Sequence, residues 1–179
     1  MDHQDHLFLL RKGVTPGTWA DFGSGTGAFT LALAELLGPA GEIHSIDKNR
    51  PALRRQKHRL QAHFPHQTVH YYVHDYTKPI PLPALDGLVI ANALHFQQRK
   101  EPVVTRLRSY LKPGGRFIVV EYNTDRGNHW VPYPLSCATW TRLAHDCGLP
   151  DTHLLATLPS SFLGEFYAAM SVKEAQPAA

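Results

Sequence analysis

Apolar and polar positions change period along the chain in blocks, and the blocks predict strand and helix in alternation. Thr18–Phe22 reads as a short strand ending in the glycine-rich turn Gly23-Ser-Gly-Thr-Gly27. A helix is expected over Ala28–Leu37, closed by Gly38-Pro39, and a second strand over Glu42–Ile46, ending at Asp47. Pro51, at a first helical position, opens a basic helix to His63, and Thr68–Val73 reads as a third strand. The proline-rich stretch Lys78–Pro83 stands in for a helix before a fourth strand, Gly87–Ala91. Helical spacing returns over Pro102–Leu111, followed by the turn Lys112-Pro-Gly-Gly115 and a buried-type strand, Arg116–Glu121. A long loop, Tyr122–Pro134, precedes a helix over Ser136–Cys147. Two last strands are expected at His153–Thr157 and Glu165–Val172. Such alternation implies an α/β, doubly wound fold, a mostly parallel sheet with helices on both faces.

Composition narrows this further. With 179 residues, 43% apolar and 18% charged, the chain has material for one sizeable core and too little charge for a disordered chain. We expect one domain over residues 1–172 and a frayed tail over 173–179. Apolar runs fall far short of the ~20 residues that cross a bilayer, and Met1–His6 lacks the features of a signal peptide, so a soluble, cytoplasmic protein is expected. A net charge of +3 does not call for a nucleic-acid partner. Cys137 and Cys147 fall in one expected helix, about 15 Å apart. A disulfide needs Cα atoms within about 7 Å, so two free thiols in a reducing compartment are expected.

The strongest chemical signal is Trp19-Ala-Asp-Phe-Gly-Ser-Gly-Thr-Gly27 with Asp47 further on. Glycines at alternate positions let the backbone turn tightly against a ligand, and the helix behind them aims its N-terminal amides at an anionic group. An acidic residue ending the next strand accepts hydrogen bonds from ribose hydroxyls. Read as Gly23-x-Gly25-x-x-Ala28, the turn satisfies the loose dinucleotide fingerprint, which keeps an NAD(P)-dependent oxidoreductase open.

Read as Asp21-x-Gly23-x-Gly25-x-Gly27, the same turn resembles the first motif of the class I S-adenosylmethionine-dependent methyltransferases. His74-Asp75-Tyr76, Leu85-Asp-Gly-Leu-Val-Ile-Ala-Asn-Ala-Leu-His95 and Leu111-Lys-Pro-Gly-Gly-Arg-Phe117 resemble later motifs of that family. The resemblance covers about residues 15–172. It implies a seven-stranded Rossmann-like sheet with an antiparallel C-terminal strand. It also implies S-adenosyl-L-methionine as cofactor and methyl transfer by in-line displacement. Gly23, Ser24, Gly25, Thr26 and Gly27 would then cradle the methionine part, with Asp21 near its amino group. Asp47 would hold the ribose and Lys48 flank the adenine; Asp75 and Tyr76 would sit at the adenine edge, and Asn92 beside the cofactor. A protein that binds the cofactor without catalysis also remains open.

On the acceptor side, His95 is the best-placed general base, since its unperturbed pKa lies near neutrality. Asn92-Ala-Leu-His95 departs from the motif of methyltransferases acting on DNA amines, which argues against that substrate class; a small-molecule acceptor is expected. Within the long loop, His129, Trp130 and Tyr133, beside Asp125 and Arg126, suit a small pocket. The short N-terminal segment around Leu7–Leu10 is expected to form at most an amphipathic lid. The basic run from Lys48 to Arg59 reads as a solvated helix face with Leu53 and Leu60 turned inward. His66, His70 and His74 share one face of an expected edge strand, and no metal site is expected there.

Overall fold

A computed structural model of the protein describes residues 1–174. Its first half runs α1 (His3–Leu10), β1 (Thr18–Phe22), α2 (Ala28–Leu37), β2 (Glu42–Asp47), α3 (Arg50–His63) and β3 (Thr68–Val73). The second half runs β4 (Leu85–Ala91), a single 3₁₀ turn (Leu94–Phe96), α4 (Glu101–Ser109), β5 (Leu111–Tyr122), α5 (Cys137–Asp146), β6 (Asp151–Ser160) and β7 (Gly164–Val172). The strands form one sheet in the order β3-β2-β1-β4-β5-β7-β6. Neighbours from β3 to β5 are parallel, and β7 lies antiparallel between β5 and β6. This is the seven-stranded Rossmann-like sheet that the resemblance implies. Chain direction across the sheet reverses between β1 and β4, the place where open α/β sheets leave a crevice at the carboxyl ends of their strands.

Successive strand residues point to opposite faces, so the central strands must be apolar on both. Leu88, Ile90 and Phe117 pack on one face with Val104 and Leu107 of α4 and Trp140 of α5. Trp19, Val89 and Ile118 pack on the other with Leu9 and Leu10 of α1, Leu33 of α2 and Leu60 of α3. At the edge, β3 is covered more thinly, because the proline-rich link to β4 replaces a helix. There His44 and His70, register partners on β2 and β3, stack at 4.9 Å, and Glu42 lies 2.9 Å from His70. Asn49 caps α3 by accepting from the Ala52 N–H, and Leu53 and Leu60 turn inward while Arg54, Arg55 and Lys57 face solvent.

Four expectations need correction. Leu7–Leu10 is no lid: α1, capped by Asp2, packs on α2 and β6, and Leu9 and Leu10 are fully buried. The Lys112–Gly115 turn does not separate helix from strand but lies inside β5. Pairing with β4 advances from Leu85 to Gly87 while β5 advances from Leu111 to Arg116, so the Pro-Gly-Gly segment is looped out as a bulge. The last two strands are longer than expected, because β7 pairs along its whole length with β6 and from Phe166 to Val172 with β5. Lys173, placed in a frayed tail, is held by its backbone to Gly114 and Gly115, and its Nζ donates to the Leu111 carbonyl at 2.6 Å. The rest of that tail from residue 175 lies outside the described residues. Cys137 and Cys147 are both free thiols.

Gly87 faces the ring of Trp19 on β1, its register partner, and a Cβ there would overlap the indole. Trp19 is fully buried and its Nε1 donates to the Thr15 carbonyl, so the ring has little room to retreat. Gly87→Ala should lower stability by ~1–3 kcal/mol, shifting the thermal midpoint by several degrees. An unchanged midpoint would show that the Trp19 contact yields.

Candidate active site

At the carboxyl ends of β1, β2, β3 and β4 a cavity of about 390 Å³ opens. Gly23 from the turn after β1 and Asp47 and Lys48 from the end of β2 form one side. His74, Asp75, Tyr76 and Thr77 follow β3, and Asn92, Ala93, Phe96 and Gln97 follow β4. Of the eleven cofactor candidates named from the sequence, the fold gathers Gly23, Asp47, Lys48, Asp75, Tyr76 and Asn92 around this space, while Asp21, Ser24, Gly25, Thr26 and Gly27 do not line it.

The turn after β1 is set by contacts on both sides. Gly23 has φ +74, and a Cβ there would stand 2.7 Å from the Ala93 Cβ, so only a glycine lets the β1 and β4 ends meet. The Gly23 and Ser24 N–H groups both donate to the Ile46 carbonyl, at 2.8 and 3.1 Å. Gly27, φ +87, caps α2, and a Cβ there would collide with Gln56.

Beneath this turn lies a buried chain of polar side chains. The Thr30 hydroxyl donates to Asp21 Oδ2 at 2.6 Å and accepts from Gln56 Nε2. Gln56 Oε1 accepts from Ser45 at 2.9 Å, and Ser45 bonds Ser24 at 2.8 Å. Asp21 and Ser24 were expected at the cofactor. Here both side chains point into this cluster instead, leaving only the Ser24 backbone on the turn. Burial pushes the Asp21 pKa up to about 7; the Thr30 hydroxyl opposes the rise and the Asp47 charge adds to it. Thr30 and Gln56 were missed by sequence reasoning. The signal available was a polar residue on the inward stripe of each of two helices.

Asp47 is bonded at both oxygens. Oδ2 accepts from the Gly25 N–H at 2.8 Å and Oδ1 from the Asn49 N–H at 2.7 Å. Each carboxylate oxygen retains a further lone pair for a hydroxyl donor. Asp75 Oδ1 accepts from the Thr77 N–H and hydroxyl. Burial alone would raise its pKa, but those bonds and the charges of Lys48 and Lys78 hold it below the usual carboxylate value. The Tyr76 hydroxyl donates to the Ala93 carbonyl at 2.8 Å and accepts from Gln97, tying the β3 end to the β4 end, and burial pushes its pKa up to about 12. Asn92 adopts a left-handed backbone, φ 50, and its Oδ1 is sealed from water with no hydrogen-bond partner. Asparagine tolerates that conformation better than most residues.

The acceptor-side residues are placed differently. His95 does not line the cavity; it lies beneath the rim, 4% exposed, with the Phe96 ring against it at 4.3 Å. Glu121, fully buried at the end of β5, accepts from His95 Nδ1 at 2.7 Å and from the His95 N–H at 3.1 Å. A lone carboxylate closing an apolar strand was the available signal for it. The long loop is folded on itself, since Asn128 Oδ1 accepts from the Trp130 and Val131 N–H groups. Asp125 is occupied by Ser136 at the start of α5. Trp130 is 72% exposed with His129 beside it, and neither reaches the cavity. Tyr133 touches the site region through its N–H, which donates to the His95 carbonyl at 3.0 Å. His66, His70 and His74 do not converge: His70 is bound to Glu42, and His74 turns to the Asp75 carbonyl. Among the described residues no group of three His, Cys, Asp or Glu is placed to hold a metal ion.

A family model described as a methyltransferase domain matches residues 17–153. The ubiquinone/menaquinone biosynthesis C-methyltransferase UbiE of Ectopseudomonas mendocina is 34% identical over 114 residues, 63% of this chain and 44% of that protein. The demethylmenaquinone methyltransferase of Anoxybacillus flavithermus is 31% identical over 117 residues, 63% of this chain and 48% of its own. The match thus spans less than half the length of these relatives. Among solved structures, the YcgJ protein of Bacillus subtilis superposes with a TM-score of 0.80 at 14% identity, covering 97% of this chain and 100% of that one. The 1,6-didemethyltoxoflavin-N1-methyltransferase of Burkholderia thailandensis, solved with 1,6-didemethyltoxoflavin and S-adenosylhomocysteine, gives 0.75 at 17% identity over 97% of this chain and 78% of that one.

The raised pKa of Asp21 has a stability consequence with a definite sign. Below pH 4 the carboxyl is protonated folded and unfolded, and burial costs nothing extra. Between about pH 4 and 7 only the folded state binds the proton, so stability falls as pH rises, by up to ~1.4 kcal/mol per unit. Asp21→Asn, neutral throughout, should match the wild type near pH 4 and exceed it by a few kcal/mol at pH 8. Urea unfolding at the two pH values checks this; equal stability at pH 8 would show that Asp21 is not desolvated.

Proposed function

The chain belongs to the methyltransferase-domain family, the class I S-adenosylmethionine-dependent methyltransferases, and from that premise we propose that it methylates a small-molecule acceptor at the cavity between β1 and β4. The observation that carries the assignment is the meeting of Gly23, Asp47 and Asn92 at one cavity. The residues present fit the cofactor. Gly23, whose Cβ position is taken by Ala93, brings bare backbone to the cavity wall, and the Asp47 oxygens keep lone pairs for the two ribose hydroxyls. The sealed Asn92 Oδ1 lacks the donor that an ammonium supplies. Asp75 and Tyr76 would border the adenine, with Lys48 at its flank. Gly25, Thr26 and Gly27 would act through the shape of the turn, and Asp21 and Ser24 by supporting it from below.

When bound, the cofactor supplies an electrophilic methyl on a sulfonium. The protein's part is to hold the acceptor in line with that methyl, since positioning carries much of the rate in such a displacement. His95 would take the acceptor's proton where the nucleophile must lose one. Trp130 and His129, which stand on the loop outside the cavity, would meet a part of the acceptor that projects from it, and Tyr133 would act through the His95 segment its N–H already touches. A relative named as a C-methyltransferase of ubiquinone/menaquinone biosynthesis supports an acceptor of small-molecule size. We take residues 1–172 as one working unit. Two free thiols favour a cytoplasmic setting, and no helix among the described residues is long and apolar enough to cross a membrane.

Calorimetry should show S-adenosylmethionine or S-adenosylhomocysteine binding, with NAD(H) and NADP(H) at least tenfold weaker, a gap of ~1.4 kcal/mol. Tighter binding of the nicotinamide cofactors would reject the reading. Asp47→Ala should weaken S-adenosylhomocysteine by ~1–3 kcal/mol; an unchanged affinity in a folded variant would remove Asp47 from the site.

The loop assignment predicts a split. Because Trp130 is 72% exposed, Trp130→Ala should leave stability within ~0.5 kcal/mol and cofactor affinity intact, while lowering kcat/KM for the acceptor. A clear fall in the melting temperature together with weaker cofactor binding would make Trp130 a packing residue.

A further inference from the structure

The protein buries a carboxylate that cofactor binding does not use. Glu121 is fully buried at the carboxyl end of β5, and its two oxygens are spent on one residue: Oε1 on the His95 backbone N–H, Oε2 on His95 Nδ1. Tyr76, Tyr122, Tyr167 and Lys100 surround this carboxylate closely enough to feel its charge. None of them is hydrogen-bonded to it among the described residues. A buried carboxylate is costly unless its acceptors are satisfied, and here a single residue supplies both donors.

The arrangement has a consequence for the other ring nitrogen. Two carboxylate oxygens facing His95 require a donor at Nδ1, so the neutral ring carries its proton there and leaves Nε2 bare. Among the described residues, the sealed polar side-chain atoms without partners are His44 Nε2, Asn92 Oδ1 and Tyr167 OH. His95 Nε2 is not one of them and bonds to no protein group among the described residues, so it belongs to the 4% of this side chain that meets solvent. Phe96, next in the chain, and Ala93, two residues before it, line the cavity.

We propose that Glu121 is a positioning residue for methyl transfer: by holding His95 at both its backbone and Nδ1, it fixes the tautomer that presents the Nε2 lone pair beside the cavity. The proposal rests on the methyltransferase reading above. It adds a requirement on the acceptor, which must carry a proton to give up, as a hydroxyl on an aromatic or enolic system does. In the step, the O–H bond breaks and its proton goes to Nε2. The electron pair left on the acceptor forms the bond to the methyl carbon, and the carbon–sulfur pair stays on sulfur. No other reactant is needed. A thiolate or a tertiary amine has no proton to surrender and would gain nothing from a fixed Nε2.

Glu121→Gln tests this with little change of shape. The backbone N–H of His95 can only donate, so it claims the single carbonyl oxygen of the glutamine. The amide NH₂ is then turned toward Nδ1, and the imidazole, which can change, moves its proton to Nε2. Protein labelled with ¹⁵N histidine and saturated with S-adenosylhomocysteine is read by long-range ¹H–¹⁵N correlation at pH 8, with His95→Gln to assign the ring. The wild type should show a protonated Nδ1 and a bare Nε2, and Glu121→Gln the reverse, while affinity for S-adenosylhomocysteine stays within about threefold. A wild-type ring protonated on Nε2 or on both nitrogens, or an unaltered tautomer in a folded Glu121→Gln, overturns the proposal. Failure of the wild type to bind S-adenosylhomocysteine would instead strike the methyltransferase reading itself.

Discussion

The candidate site depends on one close approach. The chain leaving β1 must pass the chain leaving β4 with no side chain between them, and Gly23 against Ala93 is where it does so. A sheet that keeps β1 and β4 adjacent forces their carboxyl ends together, while the following helices depart to opposite faces. The space between the diverging ends is the cavity. Gly23 is therefore a condition of the architecture before it is a condition of ligand binding. The Ile46 carbonyl, accepting from both Gly23 and Ser24, carries the constraint one strand further, to β2 and Asp47.

Holding that turn has a cost, which the protein meets below the surface. Asp21, Thr30, Gln56, Ser45 and Ser24 link β1, α2, α3, β2 and the turn itself through buried hydrogen bonds. An apolar filling would bury more oil but would not specify the register of two helices against the turn. A satisfied polar network does specify it, because its donors and acceptors meet only when both helices stand in one position against the turn. Asp21 shows the strain in this solution. Its desolvation is offset only in part by the Thr30 hydroxyl, and its proton is retained until about pH 7.

How much of this was legible in the sequence follows from how local each signal is. β1, α2 and β3 ended where expected, because Gly23, Gly38 and the residues around His74 stop those elements whatever lies beyond. The outer elements were misjudged where pairing with distant strands overrules local turn chemistry. Pro113-Gly114-Gly115 is a turn on its own terms, yet it bulges inside β5 because Leu111 pairs with Leu85 on β4. Leu7–Leu10 carries no local signal of what covers it, and only the face of α2 and β6 left open without it explains its burial. For the site, motif spacing brought out the backbone positions. It could not tell which way Asp21 and Ser24 point, nor pair His95 with Glu121 across 26 residues of chain.

The acidic side chains at the strand ends share a property that ties fold to chemistry. Asp47 accepts from the Gly25 and Asn49 N–H groups, Asp75 from that of Thr77, and Glu121 from that of His95. Chains leaving a parallel sheet abandon the ladder and carry N–H groups with no strand partner, and a carboxylate at the strand end takes them up. The same oxygens have lone pairs left over. Where the carboxylate is open to the cavity, as at Asp47, the remainder can select a hydroxylated ligand. Where it is sealed, as at Glu121, the remainder is spent on a neighbouring side chain and sets that group's protonation instead. Exposure, more than residue type, therefore separates the binding carboxylate from the positioning one.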